Sequence, residues 1–339
     1  MPKTRIGLIA RVDFGGLGKL SRDFYKFLEP TKVLTVLASE EDDPKSFPGA
    51  LVCTGGVMNL GQIEDFLKDI DVILTFETPY NWNLIKRAKE KGIKTIIIPN
   101  YEWSEPNPAI EPDLYICPSK LDYDIYKAEG KLCVYLPIPI DRSRLLFKLR
   151  RKANTFVFNN GHGGSIGRNG CHEMIEAISR TKISTKFIIR SQIALREAII
   201  DPRVEYKFGN FTESELFRDG DVFVFPHKFD GLSLPIQEAM ACGMPVITTD
   251  FYPHNEYLPK ELLFPVDGFG KGKLNESKRE IDIAFIYPKL LADKITEMAG
   301  RDITELSKRM NRIAEGLSWE NWKDKYLEVI NNLCDKETI

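Results

Sequence analysis

Histidine is scarce in this sequence, and long apolar runs are absent. The four histidines (His162, His172, His227 and His254) all lie in the second half of the chain's fold pattern, and none precedes residue 162. No apolar stretch approaches the roughly 20 residues needed to span a bilayer, so no transmembrane segment is expected. Met1-Pro2-Lys3 leads straight into a strand-like run rather than a secretory leader, which points to a cytoplasmic protein. Six cysteines (Cys53, Cys117, Cys133, Cys171, Cys242 and Cys334) are scattered without a CxxC pair, which favours buried thiols in a reducing compartment over a zinc site. Asp-x-Asp spacings occur at Asp69/Asp71, Asp122/Asp124 and Asp219/Asp221. Two of them precede strands and one lies in a helical stretch, so no metal is expected. The formal charge of −2 supplies no global basic field, which argues against gripping nucleic acid or an anionic membrane as the main task. Only the local run "KLRRK" (148–152) is available for such a contact.

What the sequence does have is alternation. Apolar runs of strand length alternate with helix-period segments, the signature of parallel βαβ units. "TRIGLIA" (4–10), "TKVLTVLA" (31–38), "DVILTF" (71–76), "KTIIIPN" (94–100), "DLYICPS" (113–119) and "CVYLPIP" (133–139) read as strands of a first domain. Their continuous apolar character means that both faces are covered, as in a doubly wound sheet. A basic, weakly periodic, proline-bounded stretch at 140–154 marks a boundary, placed after residue 150. The pattern restarts with "TFVFNN" (155–160), the glycine turn "GHGGSIGRNG" (161–170) and further strands at 186–191, 221–226 and 245–250. Residues 268–280 read as a surface excursion, and 287–300, 303–317 and 318–333 as amphipathic helices, with Ser318 placed to cap the last. The expected architecture is α/β: a domain at 1–150, a similar one at 151–317, and a terminal helix at 318–339.

One stretch, "FDGLSLPIQEAMACGMPVITTD" (229–250), concentrates chemistry. A strand ends at Pro226, and the loop that follows runs to Pro235, which suits the first position of a helix. Gly243 is a natural stop for that helix. Gly231 and Ser233 keep the turn narrow enough for backbone N–H groups to approach a ligand, and the helix N-terminus attracts phosphate. Asp230 and Glu238 flank this site. Carboxylates bind phosphate poorly but accept well from hydroxyls, so the pattern suits a phosphate between two hydroxyl-rich groups, as in a nucleotide sugar. On the residues alone, Asp230 can equally be a turn former and Glu238 a helix-dipole acid.

"DGLSLPIQEAMACGMPV" resembles the signature E-G-F-G-L-P-x-x-E-A-M-A-C-G-x-P-V of retaining glycosyltransferases of family 4, which have the GT-B fold. Asp230 stands for the first Glu, Leu232 for Phe and Ser233 for the second Gly. The resemblance implies two tandem Rossmann-like domains with parallel sheets and a C-terminal helix crossing back to the first. It implies that Asp230 contacts the donor sugar, that Glu238 contacts the ribose, and that Gly231, Leu232, Ser233 and Leu234 face sugar and diphosphate. "NFTESEL" occupies the place of the base-holding loop, which makes Phe211 a base-site candidate. An R-x-K-G-like turn is expected to supply cations; here Arg168 matches but Asn169 stands where Lys is common, and His162 and Gly163 lie in the same turn. Arg190, at the end of a strand, is the second cation, with a surface arginine as the alternative. "DFGGLGKL" (13–20) lacks the third glycine of a dinucleotide fingerprint and is similar to the family's first-domain turn, in which Gly16 faces the donor. Relatives often carry a first-domain histidine near the reacting sugar; this chain has none there, so Glu77, Tyr101 and Glu102 are the acceptor-side candidates.

The function these features imply is metal-independent, retaining transfer of a hexose from a nucleoside diphosphate sugar to an acceptor hydroxyl in the cleft between the domains, with no cofactor. Asp230, Arg168 and Arg190 are its expected catalytic groups. The acceptor is left open among glycan, lipid, small molecule, protein and modified nucleobase in DNA. Asn169, Asp230 and the missing histidine favour the alternative, a catalytically silent nucleotide-sugar-binding or scaffolding protein.

Overall fold

A computed structural model describes residues 3–40, 42–195, 197–274 and 279–335. The chain divides into two compact units. Met1–Pro139, Lys273–Arg279 and Trp319–Ile339 form the first, and Ile140–Gly272 with Glu280–Ser318 the second.

Unit 1 is built on seven parallel strands: β1 (Ile6–Arg11), β2 (Lys32–Leu37), β3 (Leu51–Thr54), β4 (Val72–Phe76), β5 (Lys94–Ile98), β6 (Leu114–Cys117) and β7 (Cys133–Tyr135). Their order is β3-β2-β1-β4-β5-β6-β7. The chain winds outward from β1 in one direction and from β4 in the other, so the carboxyl ends of these two strands flank the topological switch point. All five residues of β4 are buried, as expected for a central strand covered on both faces. The covering helices include α1 (Gly16–Leu28), α2 (Leu60–Leu67), α3 (Trp82–Glu90) and α4 (Lys120–Ala128). Local side chains start the last three: the carbonyl oxygens of Asn59 and Asn81 and the hydroxyl of Ser119 accept from the backbone N–H of Gln62, Leu84 and Asp122. Helix α1 has Gly15 as its N-cap and no side-chain cap; in the turn before it the Asp13 carboxylate accepts from Gly15 N–H at 2.7 Å. A Cβ on Gly18 would sit 1.9 Å from the Asp13 carbonyl oxygen, so only glycine lets α1 approach this turn so closely. Strand β3 and helix α2 lie in a stretch that the apolar pattern leaves undivided, because "LVCT" is a half-exposed edge strand.

Unit 2 carries six parallel strands: β8 (Thr155–Asn160), β9 (Lys186–Ser191), β10 (Val204–Phe208), β11 (Val222–Phe225), β12 (Val246–Thr249) and β13 (Leu263–Phe264), in the order β10-β9-β8-β11-β12-β13. Its switch point lies between β8 and β11. Helices α5 (Cys171–Arg180), α6 (Glu213–Arg218), α7 (Leu234–Ala241), α8 (Pro288–Met298) and α9 (Thr304–Gly316) complete it. Part of the expected surface excursion is regular: β14 (Gly268–Gly272) pairs antiparallel with β15 (Ile281–Phe285), while residues 275–278 lie outside the described residues. β14 has no apolar alternation to announce it. Its every second residue is glycine, and the side chains of Phe285 and Ile283 lie over Gly270 and Gly272 from the partner strand.

The break between the units falls after Pro139, earlier than the expected break after residue 150. Ile140 pairs with Ser318, and the buried Arg150 guanidinium donates to the carbonyls of Phe217 at 2.7 Å and Gly220 at 2.6 Å, all within unit 2. The last helix, α10 (Trp319–Asp335), belongs to unit 1; residues 336–339 of the expected terminal helix lie outside the described residues. Its Trp319 is fully buried, 4.8 Å edge-on to Phe24 and stacked at 4.9 Å on Phe27 of α1.

Candidate functional site

In unit 2 the loops that follow β8 and β11 leave the sheet side by side at the switch point. The first folds as a short 3-10 turn over His162–Ile166 and leads through Arg168 and Asn169 into α5. The second runs from Pro226 to Ser233 and opens α7. They are tied together where Lys228 N–H donates to the Arg168 carbonyl at 2.8 Å. The Lys228 ammonium pairs with Glu173 of α5 at 2.7 Å.

Across this junction Arg168 and Asp230 face each other, Nη1 to Oδ1 at 4.0 Å. A Cβ on Gly163 would lie 2.8 Å from Arg168 Nε and Nη2, so the glycine there makes room for the guanidinium. Burial pushes the Asp230 carboxyl up, but Arg168, the Ser233 hydroxyl and Leu232 N–H together outweigh it. The net shift is downward, and the group is a carboxylate at neutral pH. Its Oδ2 accepts from Ser233 Oγ at 2.9 Å and its Oδ1 from Leu232 N–H at 3.3 Å. Ser233 itself adopts the left-handed conformation, φ 53° and ψ 50°. That is where the family signature has glycine, and the physical reason for glycine is thereby visible.

The helix after Ser233 begins one residue earlier than expected: Leu234 takes its first position and Pro235 the second. Gly243, at φ 76°, ends it as anticipated. Every residue of α7 except Pro235 is buried, including Glu238, which is 4% exposed. Gly231 and Leu234 are buried as well, and Leu232 is half-buried.

Asn169 is buried at the position where a lysine was expected. With its amide oxygen turned inward it accepts from Gly164 N–H at 3.2 Å and Gly161 N–H at 3.3 Å. It therefore braces the glycine turn rather than supplying charge. His162 is exposed on the outer side of that turn. Arg190 is no surface arginine: it is 2% exposed and donates to the Leu216 carbonyl at 3.2 Å and to Asp219 at 3.1 Å. Burial draws its pKa down more than Asp219 raises it. Its guanidinium centre stands 5.9 Å over the Phe211 ring, so it holds the loop before α6. The structure thus brings Arg168 and Asp230 together and places Arg190 with Phe211.

Sequence reasoning missed what lies under the acidic loop. His227 is fully buried, its ring nitrogens directed at Thr248, Thr249 and the ring of His254. Burial pushes the His227 pKa down to about 4 and that of His254 well below its usual value, so both rings are neutral. A histidine between a strand-ending proline and the acidic motif was the available signal.

In unit 1, Gly16 is exposed as the first residue of α1, at the carboxyl edge of the sheet. Glu77 follows β4 with φ 59° and accepts from Asn100 Nδ2 at 2.9 Å. Glu102 is 1% exposed, and the Tyr101 ring lies 5.3 Å from the Arg279 guanidinium centre, so this pair sits within the packing of unit 1. Arg279 also donates to Glu129 at 2.7 Å and Ser104 at 2.9 Å. Among the described residues, no group of three or more His, Cys, Asp and Glu side chains is disposed to hold a metal ion, and no helix is long and apolar enough to cross a membrane.

Comparison with known proteins agrees with this geometry. Residues 163–269, which include Arg168 and the whole of the acidic loop, match the family described as Glycosyl transferases group 1. No curated protein sequence matches significantly. Among solved structures, sucrose-phosphate synthase from Thermosynechococcus elongatus superposes with a TM-score of 0.67 at 13% identity, covering 98% of this chain and 99% of that one. The lipopolysaccharide outer core galactosyltransferase WaaB gives 0.64 at 11% identity, with 97% and 99% covered. HepE from Anabaena, solved in complex with UDP and glucose, gives 0.64 at 13% identity, with 97% and 100% covered. At such identities the likeness establishes the fold.

Proposed function

We propose that this chain, a glycosyltransferase of GT-B fold, moves a hexose from a nucleoside diphosphate sugar to an acceptor hydroxyl with retention at the anomeric carbon. The observation that carries this reading is the pairing of Arg168 with Asp230 at the switch point of unit 2, beside the N-terminus of α7. A diphosphate lying there meets a guanidinium and a helix end, both of which stabilise developing negative charge. Asp230 and Glu238 then accept from sugar and ribose hydroxyls respectively. In the transfer the anomeric carbon–oxygen bond to the diphosphate breaks, and the acceptor oxygen bonds to the same face of that carbon. The acceptor proton passes to the departing phosphate oxygen, so no separate protein base and no metal is required. UDP is the favoured nucleotide because HepE was solved with it, and Phe211, held by Arg190, is the candidate base contact.

The burial of Asn169 favours a second reading, in which the protein binds a nucleotide sugar without turning it over. A panel of UDP-, GDP- and ADP-hexoses, followed by NMR for hydrolysis and for transfer to added acceptors, separates the two. An α-configured product from an α-configured donor supports retention. Binding without turnover supports the second reading, and absence of any binding sinks both.

A further inference from the structure

The basic run at 148–152 has no part in the donor reading, and the structure splits it. Arg151 and Lys152 are exposed, while Arg150 is buried. Besides Phe217 and Gly220, the Arg150 guanidinium reaches the Arg218 carbonyl at 3.3 Å, so it pins the connection from α6 to β11. Lys148, two residues earlier, stands at the rim of a cavity of about 570 Å³, which this connection walls on one side through Asp219 and Gly220. The floor is the β8–β9–β10 edge of the sheet. Thr155 and Lys186 are register partners there, and Ile188 and Glu205 continue the same face. Thr155 begins β8, and the glycine turn with Arg168 follows its other end at Asn160. The length of that strand, roughly 17 Å at about 3.3 Å per residue, separates the two places.

Positive charge is in surplus at this cavity. Arg203 is engaged by Asp201 at 2.7 Å and by the carbonyls of Ile178, Thr181 and Ile183. Lys207 lies between Glu205 at 3.2 Å and Asp219 at 3.4 Å, and Asp219 also meets Arg190 and Arg218. The nearby Asp221 carboxylate accepts from the backbone N–H groups of Asn154 and Thr155. Each of these acids is therefore occupied. Arg150 adds to the field from behind the wall, because its hydrogen bonds go to carbonyl oxygens and not to a carboxylate. Lys148 and Lys186 remain: both are exposed, and among the described residues neither pairs with a carboxylate. Two such ammonium groups match a phosphate monoester, which carries about −1.5 to −2 charges at neutral pH. A phosphate alone does not fill the space, which falls within the roughly 300–1,000 Å³ of small-molecule sites. Ile188 and Pro202 offer apolar surface to the rest of a ligand, and Thr155 a hydroxyl.

We infer that this cavity of unit 2 binds a small phosphorylated compound, its phosphate held by Lys148 and Lys186, at a site apart from the loops that carry Arg168 and Asp230. The inference does not depend on the transferase reading. The test is calorimetry on the full chain with glycerol 3-phosphate, ribose 5-phosphate and inorganic pyrophosphate, with ribose as the neutral control, each without and with saturating UDP. The expected result is millimolar or tighter binding of at least one phosphorylated probe and none of ribose. That binding should persist under UDP and weaken about tenfold or more in Lys148→Gln and in Lys186→Gln, the loss expected for one charge-assisted hydrogen bond. Lys186→Arg should keep most of it. Lys152→Gln, in the same basic run but outside the cavity, should leave it unchanged, and UDP affinity should be the same in all four variants. Displacement of the probes by UDP places them at the donor loops and overturns the inference. Binding indifferent to Lys148 and Lys186, an equal loss in Lys152→Gln, or no binding of any probe overturns it as well. If the probes bind as expected but no nucleotide sugar does, the inference stands and the transferase reading fails.

Discussion

Ser233 carries a conflict that its neighbour resolves. A side chain in the left-handed region costs about 1 kcal/mol relative to glycine. Here the hydroxyl that comes with it donates to Asp230 at 2.9 Å. Ser233 and Asp230 are both departures from the family signature, and the hydrogen bond makes them one feature: the shorter acid is held by the residue that replaces glycine. Ser233→Ala keeps the strain and loses the bond, so it should lower stability by about 1–2 kcal/mol in denaturant unfolding. Ser233→Gly loses the bond but relieves the strain, and should stay within about 1 kcal/mol of the parent. Equal losses in the two variants would show that the coupling is not real. The two acids should also separate by role. Asp230→Asn is expected to reduce kcat about a hundredfold or more with nucleotide affinity nearly kept, whereas Glu238→Ala weakens nucleotide binding itself. Calorimetry with UDP alongside kcat decides it, and matched small losses would return both acids to structural roles. At this scale the spacing of the acidic motif was legible, because turn and helix chemistry fix it locally. The inward turn of Asn169 and the burial of Arg190 were not, since each depends on partners that only the fold supplies: Gly161 and Gly164 in one case, Asp219 and Leu216 in the other.

The loop from Pro226 to Ser233 rests on neutral histidines, which makes the β11–α7 connection the acid-sensitive element of unit 2. His227 has its pKa pushed down to about 4 by burial, while an unfolded histidine titrates near 6.5. Between those values the unfolded chain takes up a proton that the native ring refuses. Stability is therefore complete above about pH 6.5 and falls as pH drops towards 4, by up to about 3 kcal/mol. His254, shifted in the same direction, adds to the slope. The protection factors of the β11 and β12 amides should fall between pH 7.5 and 5, an excess of opening over the intrinsic slowing of exchange at lower pH, and His227→Gln should flatten that excess. An unchanged excess in the variant would place the sensitivity elsewhere. Element existence was readable wherever apolar runs were continuous, as in β4 and β11. It was not readable in β10, whose "VEYKF" alternates at an exposed edge, nor in β14, where glycines leave the apolar work to Phe285 and Ile283 across the pair.

Two α/β units in tandem follow from the alternation of strand and helix patterns, but the path of the chain between them does not. Arg279 returns to unit 1 from between two strands of unit 2, and no periodicity in the sequence announces that return. The terminal helix is different, because its aromatic residues have the spacing of one buried face. Trp319 and Tyr326 are both fully buried and both pack edge-on or tilted against Phe24 or each other, at 4.8, 5.3 and 5.7 Å. The Tyr326 hydroxyl donates to the Pro137 carbonyl at 3.2 Å, at the point where the chain leaves unit 1 for the first time. Unit 1 is therefore complete only once α10 has joined it. Trp319→Ala removes the largest buried side chain at this junction and should cost unit 1 about 3–5 kcal/mol. The same change touches no residue of the acidic loop. Hydrogen exchange resolved by peptide should show β1, β4 and α1 deprotected while β8, β11 and α7 keep their protection, and UDP affinity should persist. Uniform deprotection of both units would mean that they unfold as one cooperative body, and that the terminal helix stabilises the whole molecule rather than unit 1 alone.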